Sequence, residues 1–145
     1  MTTQLRSDLS LLALRLMAGS VFVFHGSQKL LGLFGGHGIA GTAGWMESIG
    51  IPFPTLSATL AGGTELLGGV ALLTGLFARA AGVPLAFTML VGALTAHSGF
   101  DATRGGMEFP LVMASVALAI ALAGPGRLSV AAGRVDVPLL RPATA

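Results

Sequence analysis

The stretch TLSATLAGGTELLGGVALLTGL, residues 55–76, is apolar or small almost throughout, yet it carries a carboxylate, Glu65, near its centre. A helix needs about 20 predominantly apolar residues to cross a bilayer, and this stretch is long enough. At 1.5 Å per residue, Glu65 would sit about 15 Å from either boundary of a hydrocarbon core about 30 Å thick. Its side chain is too short to reach water. An uncompensated charge at that depth costs at least about 3 kcal/mol. Glu65 must therefore be protonated and hydrogen-bonded between helices, paired with a cation, or beside a water-filled cavity.

The remainder of the chain favours the same solvent. Of its 145 residues, 53% are hydrophobic and 10% charged, and the mean hydropathy is +0.84. A soluble domain carries about 25% charged residues, so this chain lacks the polar surface to cover a water-soluble fold. Three further spans are expected, at about 9–34, 79–98 and 107–123, the last bounded by Gly124-Pro125-Gly126. Arg15 interrupts the first apolar run and no small-x-small site follows, so retention is expected, not cleavage as a signal peptide. Between spans one and two, Ile39, Ala43, Met46 and Ile49 recur at helical spacing beside Trp45. That pattern predicts a short amphipathic helix over 39–49, lying on the membrane surface. The expected fold is an all-α integral membrane four-helix bundle with this interfacial helix between helices 1 and 2. Residues 1–145 read as a single unit, with 129–145 as a surface strand or irregular end.

With four spans, Arg6, Arg79, Arg127, Arg134 and Arg141 fall on one side. Glu47, Asp101 and Glu108 fall on the other, with Arg104. The positive-inside rule then puts both termini in the cytoplasm. The eight Lys and Arg residues are scattered, which excludes a nucleic-acid partner. With no cysteine there is no disulfide, thiolate metal site or thiol–disulfide chemistry. No haem, flavin or iron–sulfur signature is present, and no metal site is expected.

Several polar residues lie near Glu65 in depth. Ala18, Phe22, His25 and Lys29 share a stripe on span one, with Arg15 on its flank. Arg15 and Lys29 each lie close enough to a boundary to snorkel. His25 and Arg15 are both within reach of Glu65, and an Arg15–Glu65 interhelical ion pair is one expectation. Gly62 and Gly69 flank Glu65 and permit a close neighbour. His97, near the end of span three, reads alone as a solvated interfacial histidine. Glu108, in the first turn of span four, reads alone as a dipole partner. Together His25, Lys29, His97 and Glu108 converge from three helices on the outer half, and a ligand-binding pocket lined by them, with Glu65 as its floor, is expected.

These residues resemble the DoxX family of small bacterial membrane proteins. The resemblance covers about residues 11–130. It rests on RLMAGSVFVFHGSQKL (15–30), GIAGTAGWMESIGIP (38–52), GGTELLGGVALLTGLFAR (62–79), His97 with Glu108, and GPGRLSV (124–130). An Asp that often follows the last motif is replaced here by Val130-Ala131-Ala132. The resemblance implies a four-helix membrane bundle in the bacterial inner membrane. It also implies a link to thiosulfate oxidation feeding electrons to quinone, or to membrane-bound antioxidant complexes. Arg15, His25, Lys29, Glu65, His97 and Glu108 match the family's polar positions, and no catalytic residue is carried over.

Three functions remain open. One is a quinone-linked redox protein or subunit of a membrane oxidoreductase system, with a quinone as its ligand and electrons from a redox partner protein or a small reductant. Another is a non-catalytic assembly or scaffold subunit, for which glycine-rich faces and Thr88, Gly92 and Thr95 offer close helix contacts. The third is a small proton-coupled carrier acting as a homo-oligomer. No covalently bound cofactor is expected.

Overall fold

A computed structural model describes residues 2–133. It is all-helical: α1 Thr3–Leu31, α2 Gly38–Ser48, α3 Pro54–Thr74, α4 Ala78–Ala96 and α5 Glu108–Ala123. Short 3-10 turns lie at Ala102–Arg104 and Val130–Gly133, and no strand forms among the described residues. Three helices, α1, α3 and α4, are long and apolar enough to cross a membrane, whereas α5 is a shorter apolar helix of 16 residues. The 3-10 turn at Val130–Gly133 replaces the surface strand considered for the start of the tail. Residues 134–145 of that expectation, with Arg134 and Arg141, lie outside the described residues.

Two of the long helices, α1 and α3, stop where the backbone turns left-handed. Gly32 (φ +68) ends α1 and Gly75 (φ +77) ends α3, a conformation that costs glycine nothing for want of a Cβ. Thr2 caps the start of α1 by accepting from Leu5 N. Helix α1 therefore begins six residues before the expected Leu9, and its first turns carry Asp8 into contact with the chain beyond α5.

Four helices close a ring in which α1 neighbours α3 and α5, and α4 neighbours the same two. Glycine sets the two closest approaches. A Cβ on Gly26 would strike the backbone of Leu66, and one on Gly69 would lie 2.7 Å from Val23 N and 2.8 Å from Gly19 O. Gly82 does the same for α4 against Ala117 O of α5, at 2.6 Å. Small residues at such crossings let backbones pack where lipid supplies no hydrophobic drive. The core between them holds Phe22, Leu72, Leu85 and Ile120, all buried. Outward, Leu67, Leu94 and Leu122 are 73%, 76% and 71% exposed. A chain with such an exterior belongs in a lipid bilayer.

Helix α2 packs on α1 and α3 through Thr42, Ala43 and Met46. Of the apolar stripe read for this amphipathic helix, Ala43 and Met46 are buried, while Ile39 and Ile49 are exposed.

Candidate functional site

Two separate polar clusters lie in the ring, one at the end where α3 stops and one reaching from the middle of α3 toward the other end. The first surrounds Arg15, only 1% exposed. Its guanidinium donates to Leu72 O (2.8 Å), Leu73 O (3.2 Å), Pro125 O (2.5 Å) and Leu128 O (3.1 Å). It thus satisfies carbonyls at the last turn of α3 and binds the chain that follows α5. Arg79, in the first turn of α4, donates to Leu122 O (2.6 Å) and Ala123 O (3.0 Å) at the end of α5. Buried Asp8 accepts from Arg127 N (2.9 Å) and from Gln4 Nε2. The segment GPGRLS, 124–129, is therefore a strap held by Arg15 and Asp8, while Arg79 closes the end of α5 just before it. The expected Arg15–Glu65 ion pair does not form. Arg15 is turned to backbone acceptors at the far end of α3 and after α5, which engage four of the five N–H donors of its planar fork.

The second cluster is built on Glu65, 1% exposed, at the middle of α3. Its partner is Lys29, whose Nζ is 2.5 Å from the carboxylate. Neither Arg15 nor His25 fills that role. Lys29 could have snorkelled to the surface, yet its side chain turns into the bundle and is 28% exposed. Gly62 makes this possible. One turn from Glu65, it would carry a Cβ only 3.1 Å from Lys29 Cβ, so its absence leaves room for the lysine stem along α3. Pairing removes the cost of an isolated charge at this depth.

The ion pair lies at a cavity of about 680 Å³, which His25 and His97 also line. Phe22, Met113 and Phe109 wall it on the side of α1 and α5, and Trp45 and Met46 of α2 lie across it. The His25 ring stands edge-on to Phe24 (5.4 Å) and Phe109 (6.5 Å) and makes no hydrogen bond among the described residues. His97 terminates α4, where its Nδ1 lies 3.0 Å from Gly92 O. A carbonyl only accepts, so Nδ1 carries the proton, and Nε2 of the neutral ring is an acceptor. Between α3 and α4 the cavity reaches Leu60 and Phe87, which are 61% and 67% exposed on the apolar exterior.

Four of the expected pocket residues, His25, Lys29, Glu65 and His97, thus come together. Glu108 does not join them. Its Oε1 accepts from Ala102 N (2.7 Å) and pins the loop before α5, outside the cavity. Trp45 is the lining residue that sequence reasoning assigned elsewhere, to the membrane interface. Its neighbour Met46 on the predicted apolar stripe was the available signal.

The DoxX family profile matches residues 10–98, which hold most of α1, all of α2 to α4 and every charged or imidazole group of the cavity. The chain belongs to the DoxX family. Its relatives include "Putative oxidoreductase CatD" of Bacillus subtilis (strain 168), 32% identical over 81% of each chain. "Inner membrane protein YphA" of Escherichia coli (strain K12) is 28% identical over 82% of this chain and 86% of its own length. An uncharacterized membrane protein of Mycobacterium tuberculosis (strain ATCC 25618 / H37Rv) is 39% identical over 59% of this chain and 48% of its own. No solved structure matches significantly. This is a membrane protein of the DoxX type.

Proposed function

We propose that this DoxX protein is a quinone-linked redox protein, or the quinone-binding subunit of a membrane oxidoreductase system, in a bacterial inner membrane. In this reading residues 1–145 are one unit. Helices α1, α3, α4 and α5 cross the bilayer, and α2 lies at the surface opposite the termini. As a helix α5 spans about 24 Å, somewhat less than the hydrocarbon core, and Arg79 closes its short end. Arg6, Arg79 and Arg127 share one end of the ring, which favours cytoplasmic termini. The name of YphA supports the choice of membrane.

The observation that carries the redox reading is an apolar-walled cavity between the helices, lined by an ion pair and two imidazoles. A quinone head is a flat apolar ring with two carbonyl oxygens. Phe22, Met113 and Phe109 offer it walls, Lys29 and the ring N–H of His25 offer donors, and His97 Nε2 offers an acceptor for the reduced ring's hydroxyl. Reduction takes up two electrons and two protons. The electrons come from a separate donor, either a partner protein or a small sulfur reductant such as thiosulfate. The Lys29–Glu65 pair and the two histidines hold and pass the protons. The name of CatD is consistent with such chemistry.

Less supports the alternatives. Gly62, Gly68 and Gly69 meet neighbours within the chain, and Thr88, Gly92 and Thr95 line the cavity, so these residues do not form a free scaffold face. For a proton-coupled carrier, Glu65 would have to leave Lys29 in each cycle. The test is purification from native membranes in mild detergent, followed by solvent extraction. A quinone is expected in the extract, together with a rise in melting temperature when quinone is added. A preparation that neither retains quinone nor responds to it contradicts the proposal.

A further inference from the structure

The cavity continues into a groove of about 420 Å³ along the seam between α3 and α4. Leu60, Thr64 and Pro84 line both, so the two form one continuous path. The seam is tight at the Arg15 end, where a Cβ on Gly68 would lie 2.8 Å from Leu85 Cγ. Beside that contact the groove opens between Thr59, Leu60, Gly63, Thr64 and Leu67 of α3 and Ala81 and Pro84 of α4. Pro84, inside α4, has no N–H to return to Ala80 O and favours a kink at that point. Across from it, Gly63 is half-buried in the groove, yet a Cβ built on it would meet nothing within 4 Å. The groove walls are apolar or small, and they run outward to Leu67, 73% exposed. Polarity therefore falls along the path, from the Lys29–Glu65 pair to the apolar exterior.

We infer that this groove seats the linear apolar tail of the quinone whose head lies in the cavity, so that the ligand enters and leaves sideways from lipid between α3 and α4. The inference rests on the quinone reading above and adds the route and the tail. Head and tail of one amphiphile match the two ends of one path. The space beside Gly63 gives a way to block the tail without touching the head.

Trp45 is the chain's single tryptophan and lines the cavity, and quinone rings quench indole emission. Intact protein in detergent is titrated with a decyl-tailed benzoquinone and with the same ring lacking the tail, following Trp45 fluorescence. In the unaltered protein the tailed ligand is expected to bind about tenfold more tightly, as buried methylenes add affinity. Gly63→Leu is expected to weaken the tailed ligand by about tenfold and to leave the tail-less ring within about twofold. Should Gly63→Leu fail to fold, Gly63→Ala and Thr59→Phe narrow the same groove and are expected to weaken the tailed ligand selectively. Unchanged affinity for the tailed ligand, or equal weakening of both ligands, overturns the groove assignment while the quinone reading stands. Displacement of the tailed quinone but not the bare ring by added phosphatidylethanolamine assigns the groove to a lipid acyl chain and overturns the inference. No saturable quenching by either ligand in the unaltered protein removes the quinone reading and the groove with it.

Discussion

Arg15 and Lys29 are two cations on one helix that meet opposite circumstances. Arg15 has four backbone carbonyls around its guanidinium, from two separate parts of the chain. Lys29 has one partner, Glu65, and the pair borders a cavity shared with two imidazoles. Arg79 and Asp8 follow the first pattern, each bound to backbone at the Arg15 end. The contrast separates charge that organises the fold from charge that remains available to a ligand. Burial alone does not make that distinction, because Arg15 and Glu65 are each 1% exposed. The partner decides it. Backbone carbonyls fix a chain segment in place, whereas a side-chain ion pair at a cavity can exchange protons and hydrogen bonds.

The largest expected effect tests the packing beneath both regions. Gly26→Leu places a side chain into the backbone of Leu66, and no monodisperse folded protein is expected on size-exclusion chromatography. Gly92→Ala, whose Cβ meets nothing, should cost no more than about 0.5 kcal/mol by thermal unfolding. Next comes Arg15→Met, which strips four carbonyls of a charged donor and should destabilise by on the order of 4 kcal/mol. Quinone affinity of the surviving folded fraction should not change. Lys29→Met leaves Glu65 unpaired and should cost about 3 kcal/mol, with part restored when Glu65→Gln is added. An additive double variant would show that the pair is not coupled.

Smaller stability effects sharpen the contrast from the other side. His25→Phe and His97→Phe should each change stability by about 0.5 kcal/mol or less, yet lower quinone affinity by about tenfold in the Trp45 quenching titration. Were they to destabilise as much as Arg15→Met, the histidines would belong to the fold. Glu108→Gln should cost less than about 1 kcal/mol and leave affinity unchanged, because Glu108 holds only its own loop.

How much of this was legible in the sequence follows the same division. The helices were, because runs of about 20 apolar residues, the last closed by Gly124-Pro125-Gly126, leave little freedom, and the observed ends of α3, α4 and α5 fall within two residues of the expected ones. The anomaly of Glu65 was legible from its depth, and so was its grouping with His25, Lys29 and His97. The partner was not. Depth put Arg15 and His25 within reach and left Lys29 free to snorkel, and what selected Lys29 was the bare backbone at Gly62 together with carbonyls that drew Arg15 away. Those carbonyls come from residues 72–73 and 125–128, a juxtaposition that no periodicity on α1 encodes. Glu108 misled for a related reason: at equal depth, a loop amide six residues earlier captured it before the cavity could.

The most direct test compares the unaltered protein with a His25→Phe/His97→Phe double variant by thermal unfolding in detergent, with and without decyl-tailed benzoquinone. The account predicts similar melting temperatures without ligand, a clear upward shift on ligand addition for the unaltered protein, and little or none for the variant. Equal shifts in both, or no shift in the unaltered protein, would contradict it.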